Sequence, residues 1–178
     1  VITALGTAAG VFCGWNGGWP DAVLMRISDM FLAFPGLVFA LAVAGVLGGG
    51  LQNAMLALAD ISWPKYARLA RSQTLALKEA VWMKAARISG SGKAKLIFKH
   101  VLPNIIGPIL VTAVLDIGTM MMELAALSFL GLGAKAPTAE WGSMMSDTRS
   151  LMTTSPGITF SPGIAMFGSI RIFDLWCV

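Results

Sequence analysis

The chain has 178 residues, is 56% apolar and only 12% charged, and its mean hydropathy is +0.75. Soluble domains carry roughly 25% charged residues, so a water-soluble globule is excluded and a membrane protein is implied. The net charge of +4 does not indicate a nucleic-acid partner: nine of the thirteen Lys and Arg residues fall between positions 65 and 99, with Glu79 the only acid among them, and basic loops that resist translocation account for such a cluster.

In chain order, residues 1–13 are apolar but too short to cross a bilayer, which needs about 20 residues. With no initiator Met and no basic n-region, this stretch reads as the end of a helix rather than a signal peptide. Gly6, Gly10 and Gly14 recur every four residues and predict a small-residue face for close helix packing. The alternative is that Gly14, Gly17 and Gly18, with Trp15, Trp19 and Pro20, form an interfacial turn. Residues 21–29 form a short amphipathic stretch with Arg26. Residues 30–51 carry no charge and predict a transmembrane helix, with Pro35 near its start and Gly48-Gly49-Gly50 at its end. Residues 51–69 predict a second span bearing Asp60 and Pro64. Beyond the basic segment, the apolar pattern resumes at Val101 and continues through Asp116 and Glu123 to Leu132. Residues 134–155 are polar and charge-balanced, with Lys135 and Arg149 set against Glu140 and Asp147. Residues 157–170 form a last apolar run, ended by Arg171 and Asp174. With the basic segment in the cytoplasm, alternation of four spans places every loop on a side that suits its charge.

Motifs with chemical meaning are few. Gly90-Ser91-Gly92-Lys93 superficially suggests a phosphate loop. That loop requires a glycine where Arg87 stands and a hydroxyl where Ala94 stands, and nucleotide binding is excluded. Gly131-Leu132-Gly133 with Ala136 follows a membrane helix rather than a strand and is no dinucleotide fingerprint. Cys13 and Cys177 have no ligand-spaced Cys or His and define neither a disulfide framework nor a zinc site. The eleven methionines, including Met120-Met121-Met122 and Met144-Met145, suit flexible packing better than a soft-metal site. No nucleophile–base or metal constellation is present, so neither catalysis nor a cofactor is expected. Asp60, Asp116 and Glu123 are ionisable groups near membrane depth, where the default reading is a pathway or helix-packing role. The seven-residue spacing of Asp116 and Glu123 puts them on one helix face. A carrier coupled to protons or ions through these three carboxylates is the corresponding alternative reading.

The basic segment has internal order. Residues 65–84 predict a helix with Leu69, Ala76, Ala80 and Met83 along one face, continued by Ala85, Ala86 and Ile88 and broken at Gly90 and Gly92. Leu96-Ile97-Phe98 then forms an apolar patch before Leu102-Pro103 opens the next span. His100, the only histidine, suits a structural or interface role. A short cytoplasmic helix ending in glycine has the shape for a groove in a partner protein. An amphipathic loop lying on anionic lipid is the plainer alternative.

This segment resembles the signature of inner-membrane permease subunits of binding-protein-dependent ABC importers: Glu-Ala-Ala, three residues, Gly, nine residues, Ile, one residue, Leu-Pro. The matching positions are Lys84-Ala85-Ala86, Gly90, His100 and Leu102-Pro103, with lysine replacing the glutamate and histidine the isoleucine. Gly17-Gly18-Trp19, Leu32-Ala33-Phe34-Pro35, Trp63-Pro64-Lys65-Tyr66-Ala67-Arg68 and residues 126–133 are similar to the dipeptide, oligopeptide and nickel branch, over about residues 1–156. The resemblance implies an all-α polytopic transmembrane bundle of the type I importer kind, a single domain over residues 1–178 with a cytoplasmic coupling loop at 65–103. It further implies a bacterial plasma-membrane subunit that pairs with a second permease, two ATPase subunits and an extracytoplasmic substrate-binding protein. ATP hydrolysis would reside in those partners, the helix at residues 84–90 would couple to them, and the cargo would be peptides or nickel. Residues 168–178 depart from the family pattern and are expected to compromise the last span. A non-transporting remnant is therefore the second alternative.

Overall fold

Proline and glycine decide where most of these helices stop. The computed structural model describes residues 2–134 and 137–177. Lys135, Ala136 and the side chains of Asp174 and Cys177 lie outside the described residues. The described residues form helices and turns with no strand: α1 (Ile2–Asn16), α2 (Gly18–Leu32), α3 (Gly36–Val46), α4 (Leu51–Glu79), α5 (Val81–Ile88) and α6 (Lys93–Leu96). A π-helical turn (Ile97–Val101) leads into α7 (Leu102–Phe129). Then come α8 (Trp141–Asp147), a 3-10 turn (Arg149–Leu151) and α9 (Pro156–Cys177).

Two boundaries differ from the sequence expectation. The uncharged stretch 30–51 is not one transmembrane helix, because α2 ends at Leu32 and α3 starts only at Gly36. Pro35 is the cause. It lacks an N–H and excludes its neighbour from helical backbone, and it adopts φ −58°, ψ 124° at the N-cap of α3. Alone, the 11 residues of α3 extend only about 16 Å. The second difference is α4, a continuous 29-residue helix running through the fully buried Pro64. No boundary falls at residue 65. The break comes at Ala80, whose backbone is extended. Among the described residues one continuous helical stretch, Lys93–Phe129, is long and apolar enough to cross a membrane, and α2 with α3 qualifies only as a bent pair.

The chain divides into two compact units. The first comprises Val1–Ala33 and Ser62–Ala113. Its core joins Val11 and Trp15 of α1 to Tyr66 and Ala70 of α4, Met83 of α5, Leu96, and Val101, Ile105 and Ile109 around the start of α7. The glycine stripe forms the contact between α1 and α4. A Cβ on Gly6 would stand 2.6 Å from the Trp63 carbonyl oxygen, and one on Gly14 would stand 2.8 Å from Thr74 Cβ. One on Gly10 would collide with the Ala67 carbonyl. Backbone lies against backbone along three turns. Gly18 does not continue the stripe, since open space surrounds it.

The second unit comprises Phe34–Ile61 and Val114–Val178. Here α3 packs on the start of α4 through Ala40, Ala44, Ala54 and Ala57, with Leu58 and Leu127. Gly142 of α8 abuts the Ala125 carbonyl, and Ile170 of α9 fills the space beside Gly118. Gly131-Leu132 terminates α7: the Gly131 N–H donates to the Ser128 carbonyl at 2.9 Å and the Leu132 N–H to the Leu127 carbonyl at 3.0 Å. This is the Schellman pattern, so the fingerprint-like glycines serve as a helix stop. The tail expected to disrupt the last span is helical to Cys177. Even so, α9 is not among the stretches apolar enough to span.

Replacing Gly10 by leucine forces α1 off α4 and is expected to destabilise the protein by about 1–3 kcal/mol. Thermal unfolding in nonionic detergent checks this, with Leu5→Ala, an exposed position on the same helix, expected to leave the midpoint unchanged.

Candidate functional site

The first unit carries the basic segment, and three local devices shape it. The first is α5, which begins abruptly because the extended Ala80 separates it from α4. Helical periodicity then turns Met83 fully inward, at 0% exposure, with Ala86 packed against the same core. The opposite face presents Val81, Lys84, Ala85 and Ile88, at i, i+3, i+4 and i+7. Val81 is 83% and Ile88 88% exposed, and Lys84 and Ala85 are exposed as well. Trp82 flanks them, half-exposed.

The second device is the stop at Gly90. Its N–H donates to the Arg87 carbonyl at 3.0 Å, and the Ser91 N–H donates to the Ala86 carbonyl at 3.2 Å. This Schellman pair requires a left-handed residue, and Gly90 has φ +81°. A Cβ there would meet nothing within 4 Å. Backbone angle, not packing within this chain, is what demands glycine.

The third device is the π turn before Leu102-Pro103. Pro103 has no N–H to extend an α-helical ladder backwards, and the Leu102 N–H donates instead to Ile97, five residues back. Asn104 Nδ2 donates to the His100 carbonyl at 2.6 Å. The His100 ring, partly buried, sits 5.9 Å from that of Trp82. The histidine of the motif thus braces the start of α5. Leu102 is partly buried and Pro103 exposed.

Several of the cations are engaged within the unit. Arg71 forms a two-pronged pair with Asp21, with Nε to Oδ1 at 2.5 Å and the second nitrogen to Oδ2 at 2.6 Å. Arg68 pairs with Asp29. Lys78 Nζ donates to the Trp15 carbonyl at 2.8 Å, and the Arg87 guanidinium lies 5.0 Å over the Trp15 ring. Lys84 Nζ sits 3.0 Å from Glu79 Oε2. The substituted lysine therefore carries its own counter-charge. The Arg71 hydrogen bond holds the Asp21 carboxyl below the ordinary carboxylate range, and the Lys84 hydrogen bond does the same to Glu79. Residue patterns did not reveal the pairings with Asp21 and Asp29; opposite charge was their only trace in the sequence.

The three membrane-depth carboxylates all belong to the second unit. Asp60 is exposed on α4, Asp116 is buried at 7% exposure on α7, and Glu123 is partly buried beside Gly36. Among the described residues no group of three or more His, Cys, Asp and Glu is arranged to hold a metal ion.

Residues 6–176 match the family described as the binding-protein-dependent transport system inner membrane component. The match extends through the tail that had seemed to depart from the family. The chain is 43% identical over 170 residues to the dipeptide transport system permease protein DppC of Alkalihalophilus pseudofirmus, covering 96% of this chain and 56% of that protein. It is 39% identical over 171 residues to the glutathione transport system permease protein GsiD of Pectobacterium atrosepticum, covering 96% and 57%. It is 42% identical over 175 residues to the nickel transport system permease protein NikC of Escherichia coli, covering 98% and 63%. The chain thus spans 56% to 63% of the length of these curated relatives.

Because the folded-state titration of Asp21 is depressed, the stability its pair supplies is complete above the unfolded value of about 3.9 and is lost as pH falls through the lower folded value. Asp21→Asn is expected to reduce stability by about 1 kcal/mol near neutral pH. It should also flatten the acid limb of the thermal midpoint measured against pH in nonionic detergent.

Proposed function

The chain belongs to the binding-protein-dependent transport system inner membrane component family, and on that premise we propose that it acts as a permease subunit of an ATP-driven importer in a bacterial plasma membrane. Residues 65–100 face the cytoplasm in a multi-pass arrangement. The partners are a second permease, two ATPase subunits and an extracytoplasmic binding protein, and the cargo is of the peptide or nickel class. Hydrolysis belongs to the ATPase subunits.

The observation that carries this reading is α5. Val81, Lys84, Ala85 and Ile88 supply the i, i+3, i+4, i+7 pattern of a helix that lies in a partner's groove. Met83 roots the helix in the core, and the Gly90 stop fixes its length. A rooted helix transmits force. Closure of the ATPase pair would push α5, and through Met83 the packed start of α7, so that the permease pair rocks between inward- and outward-facing states. The Glu79 carboxylate beside Lys84 tempers the charge reversal relative to the family pattern, so docking tolerates the lysine.

Two variants test the reading by co-purification of the ATPase from membranes. Gly90→Arg is expected to abolish association while leaving membrane insertion intact. It also imposes a left-handed conformation on a side chain, so Ile88→Asp serves as the cleaner variant: Ile88 is 88% exposed and its replacement leaves the core untouched. Undiminished ATPase recovery with Ile88→Asp would refute docking through this face.

A further inference from the structure

One cavity in the first unit belongs to none of the roles above. It has a volume of about 290 Å³, and Lys78, Arg87, Lys93, Ser91, Asn16 and Trp15 contribute to its walls. Three cations surround it, and no carboxylate lines it among the described residues. The nearby acids are committed elsewhere, Asp21 to Arg71 and Glu79 to Lys84. Lys78 is held by the Trp15 carbonyl and Arg87 by the Trp15 ring, so two of the three charges are positioned by groups that carry no net charge, and Glu79 acts on them through space without an ion-pair contact. Like charges gathered around a small volume repel one another, and an anion relieves that repulsion.

We infer that this cavity binds a phosphate-class anion, either a free phosphate or the phosphate of an anionic lipid headgroup. A phosphate group offers several acceptor oxygens to a guanidinium fork, two ammonium groups and a hydroxyl, which is the donor set present. The cavity volume accommodates a phosphate with a short substituent. Its location beside residues 93–99, at the end of the membrane-crossing stretch Lys93–Phe129, brings both sources within reach. The inference does not rest on ATPase docking: of the wall residues only Arg87 belongs to α5, and it is not one of the four residues of its exposed face.

The test uses the whole purified chain in nonionic detergent. Inorganic phosphate is titrated calorimetrically, and retention of phosphatidylglycerol against phosphatidylcholine is measured by native mass spectrometry. Saturable phosphate binding assigns the free ion. Selective retention of phosphatidylglycerol without phosphate binding assigns the headgroup. In either case Lys93→Gln, an exposed position whose loss leaves the core intact, is expected to weaken binding about tenfold, and Lys99→Gln, outside the cavity, to leave it unchanged. Absence of binding by both probes overturns the inference. So does equal weakening by Lys93→Gln and Lys99→Gln, which would mean diffuse surface charge rather than a site.

Discussion

The close approach of α1 to α4 is the contact on which the rest of the first unit depends. Gly6, Gly10 and Gly14 let α1 lie directly on the carbonyls and small side chains of α4. Trp15 follows the last of these glycines. At that distance its carbonyl reaches Lys78 and its ring passes under Arg87, so one residue ties the end of α4 to the end of α5. The turn after α1 then carries α2 back so that Asp21 and Asp29 meet Arg71 and Arg68. Any side chain in the stripe would separate these partners together, because they share one helix-to-helix distance.

The same geometry divides a charge cluster that is uniform in the sequence. Positive-inside bias depends only on how many cations lie near a span, and nine between positions 65 and 99 satisfy it regardless of pairing. A binding surface depends on which charges remain uncompensated. Arg68, Arg71 and Lys84 have carboxylate partners, whereas Lys78, Arg87 and Lys93 line a cavity without one. Topology would thus draw on the whole basic run, and recognition on the part of it that lacks carboxylate partners.

Much of this was legible beforehand, and the failures have physical reasons. Helical class, the glycine stripe and the stop near Gly90 all follow from local rules: side-chain size at four-residue spacing and the left-handed backbone of a C-cap. The single helix over residues 30–51 failed because hydropathy weighs side chains, whereas Pro35 acts through a missing N–H. The break at Ala80 was not readable at all. Alanine is the best helix former, so nothing local marks the interruption. The pairing of Asp21 with Arg71 spans fifty residues, beyond any periodicity argument. The wall residues of the cavity come from α1, the end of α4, the end of α5 and the segment after Gly90, and only folding brings them together.

The π turn at Ile97–Val101 sets the rotational phase of the segment that precedes α7. A π turn accommodates one residue more than an α turn, and each residue advances a helix by about 100°. Removing one residue there would let the turn relax to ordinary α-helix with its flanks near their present phase, whereas removing one from a regular turn of α7 would swing Leu96 and everything before it around the helix axis. Leu96 would leave the core it shares with Met83. Between Gly90 and Pro103 the number of residues is therefore as constrained as their identity. Substitutions such as histidine at position 100 are absorbed, whereas an insertion or deletion outside the π turn would rotate α5 out of its present phase.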